Sequence, residues 1–390
     1  MRRPVRILFL TDSLSDLDGV GRYAVCLIRA LQRLRPGLEA EVLLARKHRP
    51  TSSQADPRWE VSVGLPPDYF FHMPRARFWT SLAQATWRVA RAARRADLVH
   101  AIKDYPHSLA GALGARLAGV PCVATAHGTY SVQPLLVRRH ARLARWTYRR
   151  LSALVCVSDH TRRRILESPG AASIDPGRVR VIPNAVSPPG ERLPEGTRPW
   201  HAHPFTLSIG ELKERKGHHL ALPAWCAAAA RRPAWHHYVV GRGSGDAYEA
   251  GLRAGLPGRV HLLGNVPEPD KDDLLRRARV FLHTPVTAAD GGFEGFGIVY
   301  LEAAACGVPS IGTLGSGAED AVEDGVTGLL VEPRVEAVQA ALERLLDDEG
   351  LRRRMGEQAR ARAGASTWDD NARAVLAIYE RALGPDGLTS

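Results

Sequence analysis

The sequence predicts an α/β protein made of two Rossmann-like, doubly wound parallel-sheet domains facing a cleft. Three observations carry that expectation. Short apolar runs alternate with segments of helical periodicity along the chain, the pattern of parallel sheets joined by crossover helices. The first run ends in a glycine turn that opens a helix. A Pro- and Gly-rich stretch near mid-chain then divides the alternation into two series, and 390 residues suffice for two sizeable cores at ~150 residues per domain.

Taken in order, Val5–Leu10 is a strand that runs into Thr11-Asp12-Ser13, and Gly19-Val20-Gly21-Arg22 follows as a glycine loop. Tyr23, Val25, Leu27, Ile28 and Leu31 then recur at helical spacing. Ala40–Ala45 and Asp97–Ala101 read as strands, Pro106–Ala118 as a helix, and Pro121–Thr125 and Leu154–Val157 as strands. Ser158-Asp159 is a good N-cap for the next helix, and Val179–Ile182 is a further strand. The linker stretch begins near Ser187 with Ser-Pro-Pro-Gly. The second series has strands at Phe205–Ile209, His237–Val240, Val260–Leu263, Val280–His283, Ser310–Gly312 and Gly328–Val331. The expected domains are 1–190 and 204–367, joined by a linker over 191–203, with a final helix at about 368–385 packing back on the first domain.

Composition narrows the class. A hydrophobic content of 45% and charged content of 24% are ordinary globular values, which excludes a disordered or fibrous chain. Five cysteines, widely spaced and without C-x-x-C, exclude a disulfide scaffold and a cysteine zinc site. The apolar run Ile7–Leu10 is too short for a signal-peptide core, and Ser108–Ala126 is interrupted by Arg116 and Pro121. A soluble, cytoplasmic protein is expected. The net charge is +12, but its distribution is uneven: residues 1–200 hold 32 Lys+Arg against 15 Asp+Glu, and the rest 21 against 26. Arginine outnumbers lysine 48 to 5. GC-rich coding would enrich arginine without confining the excess to one half.

The strongest chemical signal is Glu294-Gly-Phe-Gly-Ile-Val-Tyr-Leu-Glu302, followed by Cys306-Gly-Val-Pro309. Two carboxylates eight residues apart bracket a Gly-Phe-Gly turn that opens a helix, placing Glu302 about two turns further in on nearly the same face. Glycines 295 and 297 let backbone approach a ligand, and free N–H groups at a helix start favour an anion such as a diphosphate. A carboxylate accepts two hydroxyls at once, which suits ribose or hexose diols. Two solvated glutamates on a surface helix would explain an arbitrary pair, but not the glycine turn between them.

With these residues in view, the chain resembles the retaining nucleotide-sugar glycosyltransferases of the GT-B fold, in glycosyltransferase family four (glycosyl transferases group 1). The landmarks are Gly19-Val-Gly21-Arg22, Ala126-His127-Gly128, Val157-Ser158, Val181-Ile-Pro-Asn184, Gly210–Gly217, Gly241-Arg-Gly243, Gly264-Asn-Val266, the two-glutamate segment and Glu323–Leu330. Each alone is weak; the ordered set is specific and spans nearly the whole length. The resemblance implies a hexosyltransferase of carbohydrate biosynthesis that uses a nucleoside-diphosphate (NDP) sugar donor, an acceptor hydroxyl on a small molecule, glycan or lipid, and no cofactor or obligatory metal. It assigns Glu302 to the donor ribose, Glu294 to the donor hexose, and the backbone N–H groups of Phe296 and Gly297 to the diphosphate and sugar. Lys216 is assigned to the charge of the leaving diphosphate. Gly210, Arg215, Gly241 and Val266 fall in the donor loops, Gly19 and Gly21 in a loop approaching the donor phosphates, and His127 on the acceptor side of the reacting carbon. Lys216, Glu294 and His127 are the expected catalytic residues.

One departure stands out. The family usually has an arginine five residues before the lysine, where this chain has Glu211. A carboxylate there must turn away or meet a cation, and Lys213 or Arg215 is left to supply the missing charge. No D-x-D stands where a metal-dependent transferase of the other major fold would hold a divalent ion. The pairs His218-His219 and His236-His237 lack metal-binding spacing. The segments Arg75–Arg95 and Arg138–Arg150 interleave arginine with aromatic and apolar residues. Such helices lie peripherally on an anionic membrane, here the inner face, or pack one side on the sheet and solvate the other. Nucleic acid has no motif to support it. Two rivals to the transferase remain: a sugar-nucleotide epimerase on the same architecture, and a non-catalytic basic anion-binding protein.

Overall fold

The computed structural model describes residues 4–15, 19–45, 56–66 and 73–384. The chain divides into two compact units, Met1–Asn184 with Trp368–Ser390, and Ala185–Thr367.

In the first unit, β1 (Arg6–Thr11), β2 (Glu39–Ala45), β3 (Glu60–Leu65), β4 (Leu98–Ala101), β5 (Cys122–Ala126), β6 (Ala153–Cys156) and β7 (Val179–Val181) form one sheet. Its order is β3-β2-β1-β4-β5-β6-β7, and the pairings are parallel, with Ile7 opposite Ala40 on one side and Leu98 on the other. The connections carry α1 (Gly19–Leu34), α2 (Arg75–Ala93), α3 (His107–Ala118), α4 (Thr129–Leu136), α5 (Arg138–Arg150) and α6 (Asp159–Leu166). β1 is buried from Ile7 to Thr11, as expected of a parallel strand covered on both faces, which is why it reads as one apolar run. Ser158 caps α6 by accepting from the Thr161 N–H at 2.9 Å, the role its sequence position indicates. β3 was not legible because it is an edge strand with only Gly64 and Leu65 buried, so its pattern lacks a strong apolar face.

The second unit repeats the plan. β8 (Phe205–Ile209), α7 (His218–Ala229), β9 (His236–Val240), α8 (Ala247–Arg253), β10 (Val260–Gly264), α9 (Glu268–Arg277) and β11 (Val280–Leu282) come first. α10 (Ile298–Ala305), β12 (Ser310–Thr313), α11 (Ala318–Ala321), β13 (Gly328–Val331), α12 (Val335–Asp347) and α13 (Glu349–Gly364) follow. The sheet order is β10-β9-β8-β11-β12-β13. Trp225, Val239, Val280, Leu282 and Ile311 pack with Val338 and Leu342 of α12 in its core. In each sheet the strand order reverses beside the first strand, between β1 and β4 and between β8 and β11. Ligand crevices of such sheets open there, beyond the carboxyl ends of the strands.

The last helix, α14 (Trp368–Leu383), belongs to the first unit. Its Tyr379 hydroxyl lies 2.6 Å from Nδ1 of buried His100, and Asn371 Nδ2 donates to the Pro183 carbonyl at 2.7 Å. The Pro- and Gly-rich stretch falls inside the second unit, and residues 193–200 are pinned along α9. The Leu193 N–H and Trp200 Nε1 donate to the two oxygens of Asp273, at 3.1 and 2.8 Å, and Arg277 pairs with Glu195. Proline and glycine here shape a strap instead of a loose connection. Among the described residues, no helix is long and apolar enough to cross a membrane.

Candidate active site

In the second unit the candidate residues gather at the carboxyl ends of the strands. Gly210 follows β8, Gly241 follows β9, Val266 lies two residues past β10, and Glu294–Gly297 lie between β11 and α10. Two glycines fix the geometry. A Cβ on Gly241, whose φ is 152°, would sit 1.9 Å from the Gly210 carbonyl oxygen. One on Gly217, at φ 72°, would sit 1.6 Å from the Thr284 carbonyl oxygen. These contacts hold the Gly210–Gly217 loop against the ends of β9 and β11, and only glycine allows them. The Lys216 side chain folds back over Gly210, whose own Cβ would lie 3.3 Å from Lys216 Cδ.

That fold brings Lys216 onto Glu294. The ammonium contacts Oε2 directly, and Arg215 Nη1 stands 3.4 Å from the same oxygen. Lys216 and Glu294 side chains are each 13% exposed, so this is a nearly buried pair with a second cation beside it. Burial is the largest single influence on Glu294 and acts to raise its pKa; Lys216, His283 and Arg215 together overcome it and hold the carboxyl well below the usual range. Burial pulls the Lys216 ammonium below its ordinary value, with Glu294 opposing. The Glu294 carbonyl accepts from the Gly317 N–H at 3.1 Å. α10 begins at Ile298, so Glu294 lies in the loop before the helix and not on its face. Phe296 buries its side chain, leaving only backbone for a ligand, and Gly317 packs on it so closely that a Cβ there would lie 2.5 Å from the Phe296 nitrogen. Gly297, at φ 80°, ends this turn and opens α10.

Glu302 sits apart from that cluster, on α10, with its Oε1 3.0 Å from Lys271 Nζ of α9. Lys271 is also 2.8 Å from Glu268. The sequence reading missed Lys271: its spacing to Glu268 marks an intrahelical pair, but nothing local ties it to a carboxylate on another helix. His283, directly after β11, was missed too. Glu211 meets cations as expected, at 2.8 Å from Lys213 and 3.2 Å from Arg242, with Arg215 at 4.0 Å. Burial acts to raise its pKa, and these cations, led by the Lys213 hydrogen bond, bring it down. Of the two residues left to replace the missing arginine, Arg215 is the one beside Lys216 and Glu294, while Lys213 serves Glu211.

In the first unit, Gly19 and Gly21 form the first turn of α1 instead of a loop ahead of it. A Cβ at Gly21 would meet the Ser15 carbonyl oxygen at 2.5 Å, whereas nothing lies within 4 Å at Gly19. Only Gly21 is demanded by packing against the turn after β1. His127, after β5, donates through Nε2 to the Ile102 carbonyl at 2.8 Å, its backbone N–H donates to Asp104, and its ring packs edge-on against Tyr23. Burial lowers its pKa, with Asp104 opposing, so the ring is neutral with its proton on Nε2. His218 and His237 are core histidines: His218 Nε2 meets the Glu211 carbonyl, and His237 meets Thr206 and Ser208.

Residues 17–188 match the model of Glycosyltransferase Family 4, and residues 195–362 that of Glycosyl transferases group 1. The chain belongs to this family of glycosyltransferases, and its two Rossmann-like units are those of the GT-B fold. It is similar to the D-inositol 3-phosphate glycosyltransferase of Actinosynnema mirum, 29% identical over 94% of this chain and 93% of that protein. A GDP-mannose-dependent monoacylated alpha-(1-6)-phosphatidylinositol monomannoside mannosyltransferase of Corynebacterium glutamicum is 36% identical over 43% of this chain and 44% of its own length. The structure of Anabaena HepE in complex with UDP and glucose shares the fold, with a TM-score of 0.74 and 20% identity over 96% of this chain and 99% of that one.

Proposed function

We propose that this glycosyltransferase moves a hexose from an NDP-sugar to an acceptor hydroxyl with retention of anomeric configuration and without an obligatory metal ion. The observation that carries the reading is the buried contact of Glu294 with Lys216, flanked by Arg215, beside the Gly295-Phe296-Gly297 turn. As they stand, these charges neutralise one another. A donor divides them: its hexose hydroxyls take Glu294, and its diphosphate takes Lys216 and Arg215. Charge that builds on the departing phosphate oxygen then meets two cations already in place, a preorganised stabilisation that requires no metal.

Glu302, oriented by Lys271, accepts the ribose diol. The bond from the anomeric carbon to the phosphate oxygen breaks as the bond to the acceptor oxygen forms on the same face. The acceptor proton passes to the departing phosphate oxygen, and no covalent step is assigned to a carboxylate. The first unit holds the acceptor, with neutral His127 on its side of the reaction. Among similar proteins, the mannosyltransferase is GDP-mannose-dependent and HepE was solved with UDP and glucose, which supports an NDP-sugar without choosing the base. A thermal-shift panel of UDP, GDP, ADP and dTDP tests the reading. One of them, at ~100 times its Kd, adds about 2.7 kcal/mol to stability and raises the midpoint. No shift with any of the four contradicts it.

A further inference from the structure

The end of β11 holds a polar side chain that the proposed reaction does not yet use. His283 is fully buried, and neither ring nitrogen has a hydrogen-bond partner among the described residues. Its backbone is fixed on both sides: its N–H donates to the Ile311 carbonyl at 3.1 Å, and its carbonyl accepts from the Tyr300 hydroxyl at 2.7 Å. The ring packs against Tyr300 and Phe281, with centroids 5.2 and 6.2 Å away. A buried imidazole with both nitrogens idle is costly, and an apolar residue would fill this place more cheaply. One nitrogen does face a candidate partner, since Nε2 lies 3.7 Å from Glu294 Oε2. That is less than 1 Å beyond hydrogen-bond range.

The gap has a reason in the charge distribution. In the structure Oε2 is taken by Lys216, with Arg215 also close. If the proposed division of charge is right, a donor draws both cations toward its diphosphate, and Glu294 is left ionised in a buried place. A buried carboxylate that loses its partner cation pays a heavy desolvation cost or takes up a proton. We propose that His283 is the positioning residue of Glu294: as the neutral Nε2–H tautomer it donates to Oε2 when Lys216 leaves, keeping the carboxylate ionised and aimed at the donor hexose. The charged and titratable groups around the ring are Glu294, Lys216, Arg215 and His218. Burial, the largest influence, and the nearby cations keep the imidazole neutral, with Glu294 opposing. A neutral ring donates through one nitrogen only, as this role requires.

This inference rests on the proposed role of Glu294, and the test separates the two. The variants are His283→Phe, His283→Gln and Glu294→Ala, each assayed for hydrolysis of UDP-glucose and GDP-mannose and for binding of UDP and GDP by calorimetry. His283→Phe should keep its thermal midpoint or raise it, because replacing an unsatisfied polar ring by an apolar one is neutral or stabilising. It should bind the bare diphosphates as the unaltered protein does, while kcat falls about 10- to 100-fold, the range for a lost hydrogen bond to a charged group. His283→Gln, whose amide nitrogen reaches the Nε2 position, should recover most of the rate. Undiminished kcat in His283→Phe, or an equal loss in His283→Gln, overturns the proposal, as does a fall in kcat matched by a fall in diphosphate affinity and midpoint. Undiminished kcat in Glu294→Ala overturns the site reading itself, and this inference with it.

Discussion

Lys216 and Glu302 have different parts in the donor reading, and they should fail in different ways when removed. Lys216→Ala should lower kcat by 100-fold or more, about 2.7–4 kcal/mol for a lost transition-state contact, with a smaller change in KM. Steady-state kinetics check this, and a rise in KM alone would assign Lys216 to ground-state binding. Glu302→Ala should instead weaken donor binding by about 1–3 kcal/mol with the fold intact, because the ribose hydroxyls lose their acceptor. Calorimetry that shows unchanged donor affinity would remove Glu302 from the site. Lys271→Ala belongs with Glu302: it leaves a 10%-exposed carboxylate side chain without its 3.0 Å partner and should weaken donor binding in the same assay. At this scale Glu211 meets three cations, Lys213, Arg215 and Arg242.

The loops owe their shape to a few backbone positions, and glycine substitutions separate those that matter. Gly241→Ala combines a disfavoured φ with a clash against the Gly210 carbonyl and should cost about 1–3 kcal/mol in chemical denaturation. Gly19→Ala, inside the first turn of α1 with open space around it, should be neutral or stabilising by up to about 1 kcal/mol. Equal effects at the two positions would contradict the loop geometry. The same contrast shows how far a single sequence reaches. Strand endings, the Gly-Phe-Gly helix start and the carboxylates were legible because they are local patterns. Final helix α14 was legible as an element for the same reason. Lys271 over Glu302 and His283 behind Glu294 were not, because each pairing joins elements that only the fold brings together. Edge strand β3 escaped because half-exposed strands lose their alternation, and the 193–200 strap because proline and glycine do not reveal what Asp273 and Arg277 anchor.

Over the whole molecule, buried histidines should set the acid limit of stability. Burial lowers His100, His218 and His237 to about 3, whereas an unfolded histidine titrates near ~6.5. Between these values the unfolded chain binds more protons than the folded one. Stability is therefore intact above pH ~6.5 and falls as pH drops, by about 1.4 kcal/mol per pH unit for each histidine. Denaturant midpoints that stay flat from pH 7 to 4.5 would contradict this. The charge asymmetry gives a second whole-molecule test. α5 buries His140, Ala141, Ala144, Thr147 and Tyr148 while Arg138, Arg139, Arg142, Arg149 and Arg150 are exposed. On α2, Trp79 and Trp87 are 50% and 61% exposed. We propose peripheral binding to an anionic surface through this unit, each arginine contributing ~1 kcal/mol near the surface. Anionic but not neutral vesicles should sediment the protein at low salt, and changing Arg138, Arg142, Arg149 and Arg150 to glutamine should abolish it. No sedimentation at low salt rejects the membrane contact and leaves the transferase reading standing. The central claim, metal-independent transfer with retention from an NDP-sugar, is tested most directly by proton NMR of the sugar first released from α-configured UDP-glucose or GDP-mannose, with water as acceptor and excess EDTA present. The account predicts that the α-anomer appears first at an undiminished rate; release of the β-anomer first, or loss of activity in EDTA restored by Mg²⁺, would contradict it.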